Sequence, residues 1–376
     1  MKDKTSLLAY ASLIGTIIGA GVFGIPYVMS RSGILISLFY FLILGGVSLF
    51  LHLAFGEIVL RTKEKHRLIG YAQKYLGKKA KILITFSTLF GTIGALLAYI
   101  ILGGDFLKII FPVPLSTFQL SLILWAILSF FVLLGIKSIG WLEFFMNIGF
   151  LIAIFLVFLF SLPKIKISNF ILADFKNSVL PYGVILFSLI GWNAIPEIEG
   201  FLKNKKNLKK VIVKAILICI IFYFLFGMII SGVTGRNTTP EAFRGLVGIL
   251  GTKIMILGGI FGLLAVSSSF LILASYLKNA LIFDYNFSYF PAFLVACFSP
   301  LILFLIGIRE FISVVAVVGS LVGLVEGIVI TFIYKRAKKS GDRTPEYSLK
   351  IPTPLIYLAI IILSLGTITH FLQYFS

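Results

Sequence analysis

The sequence predicts an all-α integral membrane protein with about eleven transmembrane helices. Of its 376 residues, 59% are hydrophobic and 12% are charged, and the mean hydropathy is +1.09. A chain of this composition cannot give a soluble globule a wetted surface. Its apolar runs recur at about 20 residues, the length that a helix needs to cross a bilayer, and they lack the alternation of β-barrel strands.

The predicted spans follow one another at short intervals. The first run is long and has no small-residue cleavage site, so we expect it to be retained as a span. The cysteines Cys219 and Cys297 both lie in apolar spans, which argues against a disulfide scaffold or a metal cluster. The predicted spans cover residues 5–30, 33–60, 82–111, 117–136, 141–161, 178–200, 208–234, 247–277, 289–307, 311–334 and 353–373.

The basic residues predict the orientation of the chain. Lys and Arg total 33 against 14 Asp and Glu, which gives a net charge of +19. Alternate inter-span segments, starting with the N-terminus, carry 24 of these 33 residues. The positive-inside rule therefore places the N-terminus in the cytoplasm and the C-terminus outside a cell membrane. Runs such as RTKEKHR (61–67) are interpreted as topology signals that contact anionic lipid head groups, not as nucleic-acid sites.

The first and sixth predicted spans share a pattern of glycine and proline. Residues 21–26 read GVFGIP and residues 191–196 read GWNAIP, so both contain Gly-x-x-x-Ile-Pro. Because these spans are five apart, the second enters the membrane from the opposite side, which predicts inverted repeats over 5–161 and 178–334 with an accessory helix at 353–373. Glycine and the prolines Pro26 and Pro196 predict a helix break in each span.

Such breaks expose backbone groups that can bind a zwitterion. Free amides at the start of one half-helix suit a carboxylate, and free carbonyls at the end of the other suit an ammonium group or a small cation. An amino acid carries both charges on neighbouring atoms. The alternative is that the glycines only let the helices pack closely.

Three motifs resemble one transporter superfamily. IGTIIGAGVFGIP (14–26) resembles the first-span signature of the amino acid-polyamine-organocation superfamily, and FSLIGWNAIPEIEGFLK (187–203) resembles its sixth span. AYIILGGDFL (98–107) is similar to the third span of the amino acid/auxin permease branch, which contains the aromatic amino acid permeases. The resemblance implies a LeuT-type fold of five plus five spans and secondary active amino acid transport by alternating access.

The resemblance also implies where a substrate binds. Its backbone would lie between the breaks, with the carboxylate near the amides of Ala20 and Gly21 and the ammonium group near carbonyls from Ser188 to Gly191. No acidic residue lies at either break, which favours a neutral amino acid, with aromatic or branched aliphatic side chains fitting best. Tyr99 could contact the carboxylate or be an ordinary buried tyrosine. The candidate substrate-binding residues are Gly19, Ala20, Gly21, Phe23, Tyr99, Ser188, Gly191 and Trp192.

A run of serines in the eighth span predicts a cation site. Residues 265–270 read AVSSSF, and hydroxyl and carbonyl oxygens suit a hard cation. By resemblance to sodium-coupled relatives, the ligands would be the carbonyls of Gly15, Ile18 and Ala265 and the hydroxyls of Ser268 and Ser269. The alternative is that these serines bond within their own helix or to a neighbouring helix.

Protons are the alternative coupling ion. The fifth span (141–160) lacks the lysine that proton-coupled relatives often carry, which weakens that mechanism without excluding protons. Glu326 lies inside the tenth span, where a carboxyl group is a candidate for proton coupling, although a structural hydrogen bond would also explain it. Glu197 follows the sixth-span break and could form a gating ion pair or be a solvated carboxylate.

Other functional classes fit the sequence less well. The main alternative is a channel or sensor that binds a small zwitterion without coupled transport. The spans show isolated polar residues where a channel needs a continuous polar stripe. An enzyme would need clustered catalytic groups at membrane depth, so no enzymatic activity and no cofactor are expected.

Overall fold

A computed structural model of the chain describes residues 4–135, 152 and 155–375, and the regular structure in these ranges is helical. The first set of helices is α1 (Lys4–Ile17), α2 (Gly21–Ser32), α3 (Ile34–Arg61), α4 (Leu68–Leu76), α5 (Lys78–Ile110), α6 (Thr117–Leu134) and α7 (Phe155–Lys164). The second set is α8 (Leu180–Ser188), α9 (Ile195–Phe201), α10 (Asn207–Thr234), α11 (Val247–Leu250), α12 (Thr252–Tyr285), α13 (Tyr289–Leu305), α14 (Phe311–Ser340) and α15 (Thr353–Phe375).

The described helices match the predicted spans in order. Eight of them are long and apolar enough to cross a membrane, and the bent pair α1 and α2 makes a ninth. The unit Leu180–Phe201, built from α8 and α9, is one of the eight. The shorter α13 coincides with the ninth predicted span, whereas most of the fifth span (141–161) lies outside the described residues. The all-helical membrane architecture is confirmed, and the count of eleven stays a prediction.

The first predicted span is broken at residues 18–20. Helices α1 and α2 meet there at an angle of 55°. The amide of Gly19 donates to the carbonyl oxygen of Ile17 at 2.9 Å, and the amide of Val22 donates to that of Gly19 at 3.2 Å. These bonds take both amides away from the carbonyls four residues earlier, those of Gly15 and Ile18, which a continuous helix would pair.

Proline does not mark this first break. Pro26 lies inside α2, several residues after the helix begins at Gly21, so the expectation that it divides the span is wrong. Glycine favours non-helical backbone through its conformational freedom, which accounts for a break at the glycine-rich segment. Pro196, in contrast, is the second residue of α9. Backbone amides in the first turn of a helix have no partner within that helix, so a proline there loses no hydrogen bond.

The two breaks touch each other. Helix α8 ends at Ser188, and a single turn of 3-10 helix (Trp192–Ala194) precedes α9. A Cβ atom on Gly21 would lie 2.9 Å from the Cα of Ser188. Only glycine permits this approach, so the start of α2 and the end of α8 meet backbone to backbone.

Long helices surround this meeting point. Helix α5 packs against α6, α12 and α14, and α14 packs against α8. Helix α10 packs against α2 and α3 on the other side. Large apolar side chains such as Leu42, Phe86 and Ile221 point away from the bundle and are exposed, as expected for a surface that faces lipid.

The linker between α14 and α15 is fastened to the end of α3. The buried carboxylate of Glu57 accepts hydrogen bonds from the Leu349 amide at 2.6 Å and the Ser348 hydroxyl at 3.0 Å, and it pairs with Arg61 at 2.8 Å. A buried charge is stabilised when several donors share it. This network holds the linker on the side of the molecule where α1 begins.

Candidate functional site

A cavity of about 210 Å³ lies beside the two breaks. This volume is several times the roughly 30 Å³ that one water molecule takes up in the liquid. Helices α5 and α14 form its other walls. Its lining includes Thr16, Ile17, Gly19, Ala20, Gly21, Ser87, Thr88, Gly91, Thr92, Ala95, Tyr99, Phe187, Ser188, Asn193, Val318, Val322 and Glu326.

The cavity brings together five of the eight candidate substrate-binding residues. Gly19, Ala20, Gly21, Tyr99 and Ser188 all line it. The amides of Ala20 and Gly21 make no backbone hydrogen bond within the described part of the chain. They lie at the N-terminus of α2, where unpaired amides and the helix dipole together favour a carboxylate.

Tyr223 of α10 connects the two breaks. Its hydroxyl donates to the carbonyl oxygen of Ile17 at 2.6 Å and lies 3.1 Å from that of Ser188. The hydroxyl of Ser48 donates to the next carbonyl, that of Leu189, at 2.9 Å. A carbonyl oxygen has two lone pairs, so the oxygens of Ser188 and Leu189 retain the capacity to accept a bond from an ammonium group, whereas that of Ile17 already accepts from both Tyr223 and the Gly19 amide.

Trp192 and Gly191 are outside the lining of this cavity, contrary to expectation. The indole N–H of Trp192 donates to the carboxylate of Glu326 at 2.6 Å, and its side chain is fully buried. The indole ring also lies 5.5 Å from the ring of His52. A buried indole needs an acceptor for its N–H, which turns the ring from the cavity toward α14.

The five candidate cation ligands share a second, smaller pocket of about 50 Å³. Gly15 and Ile18 line it from the first break, and Ala265, Ser268 and Ser269 line it from α12. The Ser268 hydroxyl donates to the Ala265 carbonyl at 3.0 Å, so its lone pairs stay available. Oxygen atoms of these types, with two backbone carbonyls released by the helix break, fit a hard cation.

Aromatic side chains pack together on one side of the first break and close the cavity on that side. Phe23 packs its ring 4.9 Å from that of Phe106 and 5.6 Å from that of Phe243. Next to these rings, the guanidinium of Arg244 donates to the carboxylate of Asp105 at 3.0 Å. Phe23 therefore belongs to this closure, which we call the aromatic plug (Phe23, Phe106 and Phe243), and it also borders the smaller pocket.

The cavity opens on the opposite side of the break. Thr16 and Asn193 line it and are exposed. Ser87 and Thr88 lie in the N-terminal half of α5, toward the side where α1 begins. The cavity is thus open on the side where α1 begins and closed on the side of the aromatic plug.

Glu197 lies near this open side. It is largely exposed and reaches Arg67 only at 4.0 Å, so the ion pair is weak. Its neighbour Glu199 is buried and pairs with Lys205 at 2.8 Å.

Sequence reasoning missed several residues of the site. Tyr223 stands in the apolar run ICIIFYFLFG (218–227), where nothing distinguishes it from a core residue. Ser87, Thr88 and Thr92 could have been found from their spacing of three to four residues with Gly91 and Ala95, which places small and polar side chains on one face of α5.

The fold and the broken helices define a class of membrane protein. The crystal structure of MhsT in complex with L-phenylalanine superimposes with a TM-score of 0.65 over 99% of this chain and 98% of that one, at 14% sequence identity. This likeness shows a LeuT-type fold with discontinuous first and sixth spans, as the sequence predicts.

The chain belongs to the tryptophan/tyrosine permease family, and the sequence model of that family matches residues 2–370. It is 27% identical over 227 residues to tyrosine-specific transport system 1 of Haemophilus influenzae, an alignment that covers 59% of this chain and 56% of that one. It is 26% identical over 286 residues to glutamine transporter 2 of Aliivibrio fischeri, which covers 71% and 72%. The chain thus matches little more than half the length of the first relative. It is a multi-pass membrane protein, and the narrower amino acid/auxin permease assignment stays a prediction.

Proposed function

We propose that this protein is a secondary active transporter of neutral amino acids that works by alternating access. The observation that carries the proposal is the contact between the two helix breaks beside one cavity. The unpaired amides of Ala20 and Gly21 and the carbonyl of Ser188 offer complementary partial charges to the two ends of a zwitterion. Neither break holds a charged side chain, so a zwitterion matches it better than an ion does.

A neutral substrate with a long or aromatic side chain fits the rest of the cavity. Gly91, Ala95, Val318 and Val322 give its middle an apolar lining. The relatives named for tyrosine and glutamine transport are consistent with a neutral substrate, although their names apply to those proteins.

Sodium is the coupling ion that we favour. The smaller pocket adjoins the first break, and Gly19, Ala20 and Tyr99 line both it and the larger cavity. An ion bound there would therefore stabilise the backbone geometry that holds the substrate, which is how binding of one ligand can favour the other.

A proton bound to Glu326 is the second candidate for coupling. This carboxyl group is buried, lines the cavity and accepts a bond from the sixth-span segment through Trp192. Protonation would weaken that bond and so affect the second break.

A transporter accounts for the closure better than a channel does. The aromatic plug and the pair Asp105–Arg244 block one side while the other side is open. A cavity that opens to one side at a time is the requirement for alternating access.

The experiment is uptake of a panel of labelled amino acids into liposomes that contain the purified protein. An inward sodium gradient at equal pH is compared with a sodium-free control and with an inward proton gradient. We expect accumulation of neutral amino acids above the equilibrium level under the sodium gradient. Accumulation only with the proton gradient would transfer coupling to Glu326, and no uptake under any gradient would contradict the transporter function.

A further inference from the structure

Helix α3 contacts the second break through two residues one turn apart. The hydroxyl of Ser48 donates to the Leu189 carbonyl at 2.9 Å. The ring of His52 lies 5.5 Å from that of Trp192, and a Cβ atom on Gly191 would lie 3.3 Å from Nε2 of His52. The imidazole of His52 therefore packs directly against the unwound backbone that follows α8.

His52 uses one ring nitrogen and leaves the other without a partner. Nδ1 lies 2.8 Å from the Ser48 carbonyl oxygen, which can only accept, so Nδ1 carries the hydrogen and the neutral ring has its lone pair on Nε2. The polar contacts of the ring within the described residues are both to Ser48, so no acidic group there favours a charged ring. The side chain is fully buried, and Nε2 has no hydrogen-bond partner in the described ranges. Native proteins rarely leave a buried acceptor unpaired, because it has lost its water without compensation.

Two backbone amides beside Nε2 lack an acceptor. The amides of Gly191 and Trp192 make no backbone hydrogen bond in the part of the chain that the structure describes. The Cα of Gly191, next to Nε2, lies between them. The side chain of Ile17 packs on the same glycine, so a larger residue does not fit there. Because glycine allows a wide range of φ and ψ, a rotation of the backbone at Gly191 can turn one of these amides onto Nε2.

The open cavity indicates in which form this bond is made. The cavity is open on the side where α1 begins, and Asn193, which follows the two unpaired amides, is exposed at that side. Closing this side must move the segment that leads into α9. A hydrogen bond that exists only in the closed form shifts the population toward that form.

We infer that His52 is a positioning residue for transport: its Nε2 accepts a hydrogen bond from the Gly191 or Trp192 amide when the cavity closes on the α1 side. We call this form the α1-closed form. The inference rests on the proposed transport function and deepens it, because it names a group outside the cavity that favours one of the two forms that alternating access requires.

The test measures access to the first break from each side of the membrane. A cysteine at Gly19, where space is open, is labelled by a membrane-impermeant thiol reagent added on the Asp105 side or on the α1 side. The rate from the Asp105 side divided by the rate from the α1 side rises with the population of the α1-closed form. This ratio does not depend on the amount of folded protein.

Three variants separate the acceptor from the bulk of the ring. His52→Phe keeps a ring and removes the acceptor, whereas His52→Gln keeps an acceptor at a similar distance from the backbone. The control is His370→Phe, because His370 is also buried but lies on α15, away from the breaks.

We expect His52→Phe to lower the ratio about fivefold, as the loss of one net hydrogen bond would. His52→Gln should stay within about twofold of the wild type, because its carbonyl oxygen can accept the same bond, and His370→Phe should not change the ratio. An unchanged ratio in His52→Phe, or an equal fall in His52→Gln or His370→Phe, would overturn the inference and leave the transport function standing. A wild-type protein that is never labelled from the Asp105 side would contradict alternating access and overturn both proposals.

A second measurement needs no change at His52, so it applies even if His52→Phe does not fold. Nitrogen NMR of protein labelled at histidine distinguishes a bare ring nitrogen from one that accepts a hydrogen bond. Phe243→Ala weakens the closure on the Asp105 side and should therefore populate the α1-closed form. We expect the Nε2 signal of His52 to move toward the hydrogen-bonded position in this variant, while the signals of His66 and His370 stay in place. A His52 signal that keeps its wild-type position, although labelling shows the shift in population, would overturn the inference.

Discussion

The hydroxyl of Tyr223 lies 2.6 Å from the carbonyl oxygen of Ile17, at the point where the first span breaks. The same hydroxyl lies 3.1 Å from the carbonyl of Ser188, at the break of the sixth span. One side chain of α10 thus holds the ends of both half-helices that present carbonyls to the cavity. This contact ties the geometry of the two breaks together.

Tyr223→Phe tests this link. The variant removes the hydroxyl that donates to the Ile17 carbonyl, which keeps its bond from the Gly19 amide, so the cost is that of one lost hydrogen bond, about 0.5–1.5 kcal/mol. Because Tyr223 connects both breaks of the proposed substrate site, we expect uptake to fall by up to about tenfold while the protein still folds, since about 1.4 kcal/mol corresponds to a factor of ten.

The control is Tyr182→Phe. Tyr182 is equally buried, and its hydroxyl donates to the Leu363 carbonyl at 2.9 Å, away from the breaks. This variant should lower the thermal unfolding temperature and leave uptake nearly unchanged. Equal losses of uptake in both tyrosine variants would mean that Tyr223 acts only through stability.

Gly21→Ala tests the contact between the breaks. A methyl group at this position would lie 2.9 Å from the Ser188 Cα and closer still to its hydroxyl. Because backbone cannot move aside as a side chain can, the two half-helices must separate, and we expect amino acid binding to fall at least about tenfold. Equilibrium binding to the purified protein measures this.

Gly46→Ala is the matched control for that variant. Gly46 lies in α3, and a methyl group added there would have no heavy atom of another helix within 4 Å. The substitution should therefore be tolerated and even stabilise the helix by about 0.5–1 kcal/mol. If Gly21→Ala bound substrate as tightly as Gly46→Ala, the close approach of the breaks would be irrelevant to binding.

Phe243→Ala tests the aromatic plug. A cysteine introduced at Gly19, where space is open, reports access to the first break. A membrane-impermeant thiol reagent added on the Asp105 side should label it slowly in the parent and about tenfold faster with Phe243→Ala, since a deleted phenylalanine removes several kcal/mol of packing. The native cysteines are buried, which keeps the background low. An unchanged labelling rate would mean that the aromatic plug does not block access to the first break.

Asp342, in the linker between α14 and α15, leads to a prediction about how thermal stability depends on pH. The ammonium of Lys74 lies 2.7 Å from Asp342, and this hydrogen bond, with the Lys63 amide, lowers the pKa of Asp342 below its usual value. A lowered carboxyl pKa adds stability above the unfolded value of about 3.9, and that stability is lost as the pH falls through the folded pKa. The contribution of this pair to thermal stability should therefore be constant between about pH 5 and 8. Asp342→Asn should cost the same stability across that range, and a loss that varies with pH there would contradict the assignment.

The sequence predicted the elements that hydropathy and glycine control. The apolar runs indicated the spans, and the glycines of the first span indicated a helix break in it. The segments containing Gly15 and Ser268 lie far apart in the chain, yet they line one pocket, as the resemblance implied.

The sequence could not predict which way single side chains turn. The pattern predicts Trp192 in the cavity, but its N–H needs an acceptor and finds Glu326 on another helix. It also predicts Pro26 at the break, but helix α2 contains this proline. Tyr223 gains its role from contacts between distant helices, which periodicity along one helix does not report.

Sodium-driven accumulation of a labelled neutral amino acid by Ser268→Ala/Ser269→Ala tests the cation site most directly. The control is Ser267→Ala, which removes a neighbouring hydroxyl that does not line the smaller pocket. Wild type and the control should accumulate substrate under an inward sodium gradient, and the double variant should lose that sodium dependence at equal protein level. If the double variant kept full sodium dependence, the cation site between the first break and α12 would be contradicted.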